Sequence, residues 1–298
     1  MTELIAAPTG APVVLAEPDW TARRDAHQAR VDGWLDGHRE RRGRGQSHPV
    51  EDFLFEYYNQ RPSQLRRWHP GPGVVLAGAA AEELLDWRGY VRAADGVTLD
   101  TAAVLTSRAP TVRWVRDLLA ATADRPGFFG CFGLHEWAMV YRQSTEERRH
   151  PGWPLRMPAT DVDAVVEERG VRCGHVDAFR FFTPGARPLN LLQPTRADQQ
   201  RLEQPGCLHA NMDLYKWAYK LSPLVPSDLV ADAFALAREI RVLDMRASPY
   251  DFTALGLSAV PVETAEGRAA YASAQREFAV RAAPLRRRLL DVLDPLAG

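Results

Sequence analysis

Apolar side chains recur at helical spacing through the last hundred residues, and this limits the possible folds more than any other feature. Leu229, Val230, Ala233, Leu236, Ala237, Ile240 and Leu243 form one such stripe, behind an N-cap candidate at Ser227 followed by Asp228. Tyr271, Phe278, Leu285, Leu289 and Val292 form a second, on a helix expected over 263–293, and a third helix is expected over 208–221. Stripes of this width must be buried against other elements. The same patterning predicts helices over 20–44, 79–87, 111–122 and 161–168, and a helix start in 48–58 with Pro49, Glu51 and Asp52 at its positive end. Strand signals are few: Val74-Val75-Leu76, and an alternation over 170–182 that puts Val171, Cys173, His175, Asp177 and Phe179 on one face. The expectation is a mainly α fold with a minor β element (α+β). It comprises one helical domain over 19–298, a flexible leader over 1–18 and a candidate internal boundary at 150–154.

With 37 basic and 38 acidic residues the net charge is −1, a balance that argues against extensive neutralisation of phosphates. No run of 18 apolar residues occurs, so no membrane span is expected. The first 18 residues hold Glu3 and three prolines and lack a basic region before an apolar core, which is unlike a secretory signal. Three cysteines are too few for a disulfide scaffold and fit a reducing cytoplasm. No obligate protein partner is indicated.

Only two of the 37 basic residues are lysine, and Lys216 and Lys220 stand one helical turn apart. With His209 and Asp213 they occupy i, i+4, i+7 and i+11, one face of the helix expected over 208–221. A carboxylate between an imidazole and an ammonium can be kept ionised and aimed, which suits a general base or the stabilisation of an adjacent cation. The plainer alternative is a wet helix face with one i,i+3 ion pair, worth tenths of a kcal/mol. His135 and Glu136 are further candidates, but neighbours on a helix point about 100° apart and cannot easily share a small ligand. His175 and Asp177, joined by His209, match a two-His-one-carboxylate set for iron. Each cysteine precedes a histidine closely (Cys131 and His135, Cys173 and His175, Cys207 and His209), which invites zinc without the spacing that makes such a signal strong. Trp137, Tyr141, Phe179 and Trp217 are candidate walls for a flat ligand. Arg39, Arg41, Arg42, Arg44, Arg66 and Arg67 form a basic knot, although residues 21–70 carry ten arginines against seven acids. Phosphate-binding glycine loops and a GxSxG elbow are absent, which disfavours nucleotide-triphosphate, dinucleotide and serine-hydrolase chemistry.

The segments HPVEDFLFEYYNQRPSQLRRWHPGPGVVLAG (48–78), GLHEWAMVYR (133–142), GHVDAFRFFTP (174–184), EQPGCLHANMDLYKWAYKLSP (203–223) and LDMRASPYDF (243–252) resemble an actinobacterial family labelled 3-methyladenine DNA glycosylase. The resemblance implies hydrolysis of the N-glycosidic bond of an alkylated purine, in damaged DNA or a purine nucleoside, without a cofactor. The base would be flipped out and held between aromatic faces. Asp213 would then stabilise an oxocarbenium-like sugar, held by His209 and Lys216, with Trp217 or Trp137 on the base and the arginines on phosphates. The helix-hairpin-helix signature of many repair glycosylases is not found. Two other expectations stand beside this one: a metal-dependent enzyme (Fe or Zn) acting on a small molecule, and a non-catalytic binding protein.

Overall fold

A computed structural model describes residues 11–298. Its helices are α1 (Glu17–Gly43), α2 (Phe53–Tyr57), α3 (Pro62–Leu65), α4 (Thr101–Ala123), α5 (Leu134–Ala138), α6 (Ala159–Arg169), α7 (Val176–Phe179), α8 (Gln199–Leu202), α9 (Leu208–Lys220), α10 (Ser227–Arg246) and α11 (Ala265–Leu293). The strands are β1 (Val13–Leu15), β2 (Val74–Leu76), β3 (Tyr90–Ala93) and β4 (Gly96–Leu99). The fold is therefore mainly α with a minor β element. No helix among the described residues is long and apolar enough to cross a membrane.

The four strands form one sheet in the order β1-β2-β4-β3, with β1 parallel to β2 and the other pairs antiparallel. Gly96 opens β4 at φ 148°, where a Cβ would lie 2.1 Å from the Leu76 carbonyl oxygen, so only glycine lets β4 close on β2. The first ten residues of the expected leader lie outside the described residues. The rest is not loose: Val13–Leu15 pairs with Val74–Leu76, and α1 begins at Glu17.

α9 packs along α10 and α11 and lies at the centre. Every side chain from Leu208 to Ala218 is buried, so its polar groups must find partners inside the protein. Asn211 shows the consequence, since it donates to the Pro205 carbonyl and accepts from the buried Arg286 at 2.7 Å. One hydrophobic cluster runs from Trp20 to Leu296.

Two local expectations change. The strand expected over 170–182 is a bridge at Val171 followed by α7, because His175 accepts the Ala178 N–H through Nδ1 and caps a helical turn. Ser227 does not cap α10; its hydroxyl donates to the Arg67 carbonyl and accepts the His69 N–H. The segment at 150–154 is a turn tied to the chain after α10, with the Arg156 N–H on the Pro249 carbonyl and the Asp251 N–H on the Pro154 carbonyl.

Candidate metal centre and its cavity

Three helices bring His135, His209 and Asp244 together. α5 begins after Phe132 (φ 48°) and Gly133 (φ 71°), two successive left-handed residues that turn the chain sharply into His135. A Cβ at Gly133 would sit 3.2–3.3 Å from the Tyr271 ring and from Ala247, so this turn also needs glycine to nest against α11. His209 comes from the first turn of α9, and Asp244 from the buried side of α10. Their donor atoms all lie within 4.8 Å of one another, the one such group among the described residues.

The polar atoms of this group are oddly placed for a hydrogen-bonded core. His135 Nε2 and Asp244 Oδ1 approach to 2.9 Å, but the oxygen lies off the line of the ring N–H, and neither atom has a hydrogen-bond partner. Asp244 Oδ2 is engaged by Arg241 Nη1 at 3.1 Å, and the same nitrogen reaches Glu136 Oε1 at 3.0 Å. Burial opposes ionisation of Asp244, and the charges of His135 and Arg241 overcome it, holding its carboxyl well below the ordinary range. Burial and the nearby His135 push His209 well below the ordinary imidazole value, so it is neutral and free to ligate. His135 is shifted the other way, since Asp244 outweighs the cost of burying its charge. A neutral imidazole, a second imidazole and a carboxylate, all buried, are the donor types of zinc and iron sites.

His135 and His209 open onto a cavity of about 300 Å³. Its other walls are mainly apolar, including Phe128, Leu191, Leu192 and Leu202. Tyr271 and Glu203 are also among the residues that line it. The Tyr271 hydroxyl is fully buried without a partner. Glu203 has only Gln199 on Oε2, and burial raises its pKa.

A second network lies beside the first. His209 stacks on His175 at 5.0 Å and meets His135 edge-on at 4.5 Å. His175 Nε2 donates to Asp213 Oδ2 (3.3 Å), Lys216 Nζ bridges Asp213 Oδ2 and Asp177 Oδ2 at 2.7 Å each, and Tyr58 donates to Asp213 Oδ1 (2.9 Å). Burial disfavours the charge on Asp213, yet Lys216 and His175 hold its carboxyl far below the ordinary range; burial likewise opposes the ammonium, and the two carboxylates raise Lys216.

The expected row of four ionisable groups is thus divided. His209, Asp213 and Lys216 are buried, and Lys220 is exposed, with its ammonium 5.7 Å from the Trp217 ring. Asp213 does not border this cavity, and three partners close it off. The expected triad of His175, Asp177 and His209 does not form: His175 is spent on capping α7 and on Asp213, and Asp177 on Lys216. His135 and Glu136 diverge as helix geometry requires, one into the triad and the other onto Arg241. The three Cys–His pairs do meet at one cavity, since all six residues line it, but no sulfur joins the donor group. Burial keeps the thiols protonated, with Cys173 pushed up to about 12, so they are poor ligands.

The expected aromatic walls lie elsewhere. Trp217 packs edge-on against Trp114, Trp137 donates to the Ala247 carbonyl in the core, Tyr141 donates to Glu167, and Phe179 packs on Phe182. Of the arginines, Arg41 is committed to Glu51 and Asp52 and Arg44 to Glu40, whereas Arg39, Arg42, Arg66 and Arg67 border one groove. Sequence reasoning missed Asp244, Arg241, Glu203 and Tyr271. One signal was available: Asp244 follows Leu236 and Ile240 at four-residue steps, an acid on an apolar stripe. Comparison with family models, curated proteins and solved structures gives no match to this chain.

Proposed function

We propose that this protein is a metal-dependent enzyme acting on a small, largely apolar molecule. The carrying observation is the buried group of His135, His209 and Asp244 at the wall of an apolar cavity, with His135 Nε2 and Asp244 Oδ1 lacking hydrogen-bond partners. A zinc or iron ion held there would act as a Lewis acid on substrate or water. Arg241 fixes the rotamer of Asp244 by holding Oδ2, which turns Oδ1 towards the imidazoles. The apolar walls exclude water and size the substrate, and Tyr271 and Glu203 offer protons from the cavity side. Three free cysteines support a reducing, cytoplasmic setting.

The test is metal content after purification with Zn(II) or, under nitrogen, Fe(II). Wild type and His175→Gln should each retain about one ion per chain, whereas His209→Ala and Asp244→Asn should retain none. A wild type that binds neither ion ends this reading.

A second reading is the N-glycosidic hydrolysis that the resemblance implies. The apolar cavity, with Phe128 and Tyr271 on its walls, suits a flat alkylated base. Asp213, closed off from the cavity, would act through His175 instead of on the sugar. Free base released from methylated duplex DNA by wild type but not by Asp213→Asn supports this reading; no release from duplex or nucleoside refutes it.

A further inference from the structure

Away from the cavity, the end of α1 and the connector around α3 enclose a groove of about 670 Å³. Five guanidinium groups border it, from Arg39, Arg42, Arg61, Arg66 and Arg67, and no acidic residue does. Two carboxylates behind it serve two of the five: Arg39 Nη1 reaches Asp32 Oδ1 at 2.9 Å and Asp36 Oδ1 at 3.4 Å, and Arg66 Nε reaches Asp32 Oδ2 at 3.0 Å. Arg42, Arg61 and Arg67 have no carboxylate oxygen within 4.0 Å among the described residues. The Asp52 carboxylate nearby is already shared by Arg41 and His38. Such a surplus of like charge in one groove is costly until an anion enters it. Guanidinium forks match phosphate oxygens in pairs. Trp87 also borders the groove, with the Arg67 guanidinium 5.3 Å from its ring, so a flat face adjoins the cationic one.

We propose that this groove binds a ligand carrying at least two neighbouring phosphates and a flat ring, a nucleotide in chemical class. The arginines take the phosphates and Trp87 the base. The groove shares no lining residue with the cavity, so the proposal stands independently of the metal centre. Phosphates of this kind come from a free nucleoside diphosphate or from a nucleic-acid strand.

The experiment is calorimetric titration of the full chain with adenosine diphosphate, inorganic pyrophosphate and a single-stranded oligonucleotide. Wild type should bind the diphosphate at least tenfold more tightly than pyrophosphate. Changing Arg42, Arg61 and Arg67 together to Gln should weaken that binding at least tenfold, with melting temperature and metal content unchanged. Tighter binding of the strand, falling steeply with salt, assigns the groove to nucleic acid; tighter binding of the free diphosphate assigns it to nucleotides. No binding of any probe, equal affinity for pyrophosphate and diphosphate, or binding indifferent to the triple substitution overturns the proposal.

Discussion

His135 Nε2 and Asp244 Oδ1 lie 2.9 Å apart in the interior, out of line for a hydrogen bond and with no other partner. A buried acceptor left unmade costs about 1–3 kcal/mol, so Asp244 Oδ1 is under-satisfied until a positive group meets it in line. A divalent cation does so and stabilises only the folded chain. Zinc at a hundred times its dissociation constant should therefore add about 2.7 kcal/mol of stability. Calorimetric melting with and without the ion would show the rise in wild type and not in Asp244→Asn; equal melting temperatures in wild type would contradict the site.

Lys216 is the sole ammonium between two carboxylates, the buried Asp213 and the partly buried Asp177. Lys216→Met leaves both without it and should cost about 3–5 kcal/mol, measured by urea denaturation. Adding Asp213→Asn removes one uncompensated charge and should recover part of that loss. The acid limb follows the same logic. The Asp213 carboxyl sits below its ordinary value, so its contribution is complete above about pH 4 and lost as pH falls further towards the folded value. Asp213→Asn should flatten that limb, and an unchanged limb would remove Asp213 from the electrostatics of the fold.

The helices of the C-terminal hundred residues were legible because each carries an apolar stripe at helical period, and α9 and α11 fall within two residues of their expected ends. The 170–182 segment misled for a physical reason: its alternation is real, but His175 and Asp177 sit in the first turn of a short helix that local capping creates. The site was half legible. His135 and His209 were singled out, yet their partner Asp244 stands more than thirty residues away on α10, and only tertiary packing selects it over Asp213 on the same helix as His209. Tyr271 and Glu203 carry no local signal, since what marks Tyr271 is an absent partner and what marks Glu203 is the burial of its carboxyl.

Partly buried neutral histidines set a second limit at mildly acid pH. Burial, with Arg67 and His27 nearby, pushes His69 down to about 4, while Nδ1 shares a 3.0 Å contact with the Tyr90 hydroxyl. Burial also takes His150 to about 4. The unfolded chain protonates these rings near 6.5, so it binds more protons than the folded chain between pH 6.5 and 4. Stability should be flat above that window and fall through it, by up to about 3 kcal/mol for His69 alone. Urea midpoints at pH 7 and pH 4.5 would show the drop, and His69→Gln should lose part of it. A His69→Gln protein with the full drop would place the effect elsewhere.

Arg241 offers the sharpest separation between a cation site and an ordinary buried ion cluster. It is itself fully buried, its guanidinium carbon lies 3.6 Å from the Phe53 ring centroid, and Nη1 spans Glu136 and Asp244. Arg241→Met keeps the apolar stem and removes the charge, leaving two carboxylates with His135 as their remaining neighbour. The loss should be about 3–5 kcal/mol without metal. In an ordinary cluster nothing added to the buffer restores it. At a metal centre the incoming ion replaces the missing positive charge beside Asp244, so zinc should raise the melting temperature of Arg241→Met by more than it raises that of wild type. Because both measurements are made on the same variant, poor folding of the apo form does not obscure the comparison. An equal or smaller rise in the variant would mean that Asp244 does not meet the ion.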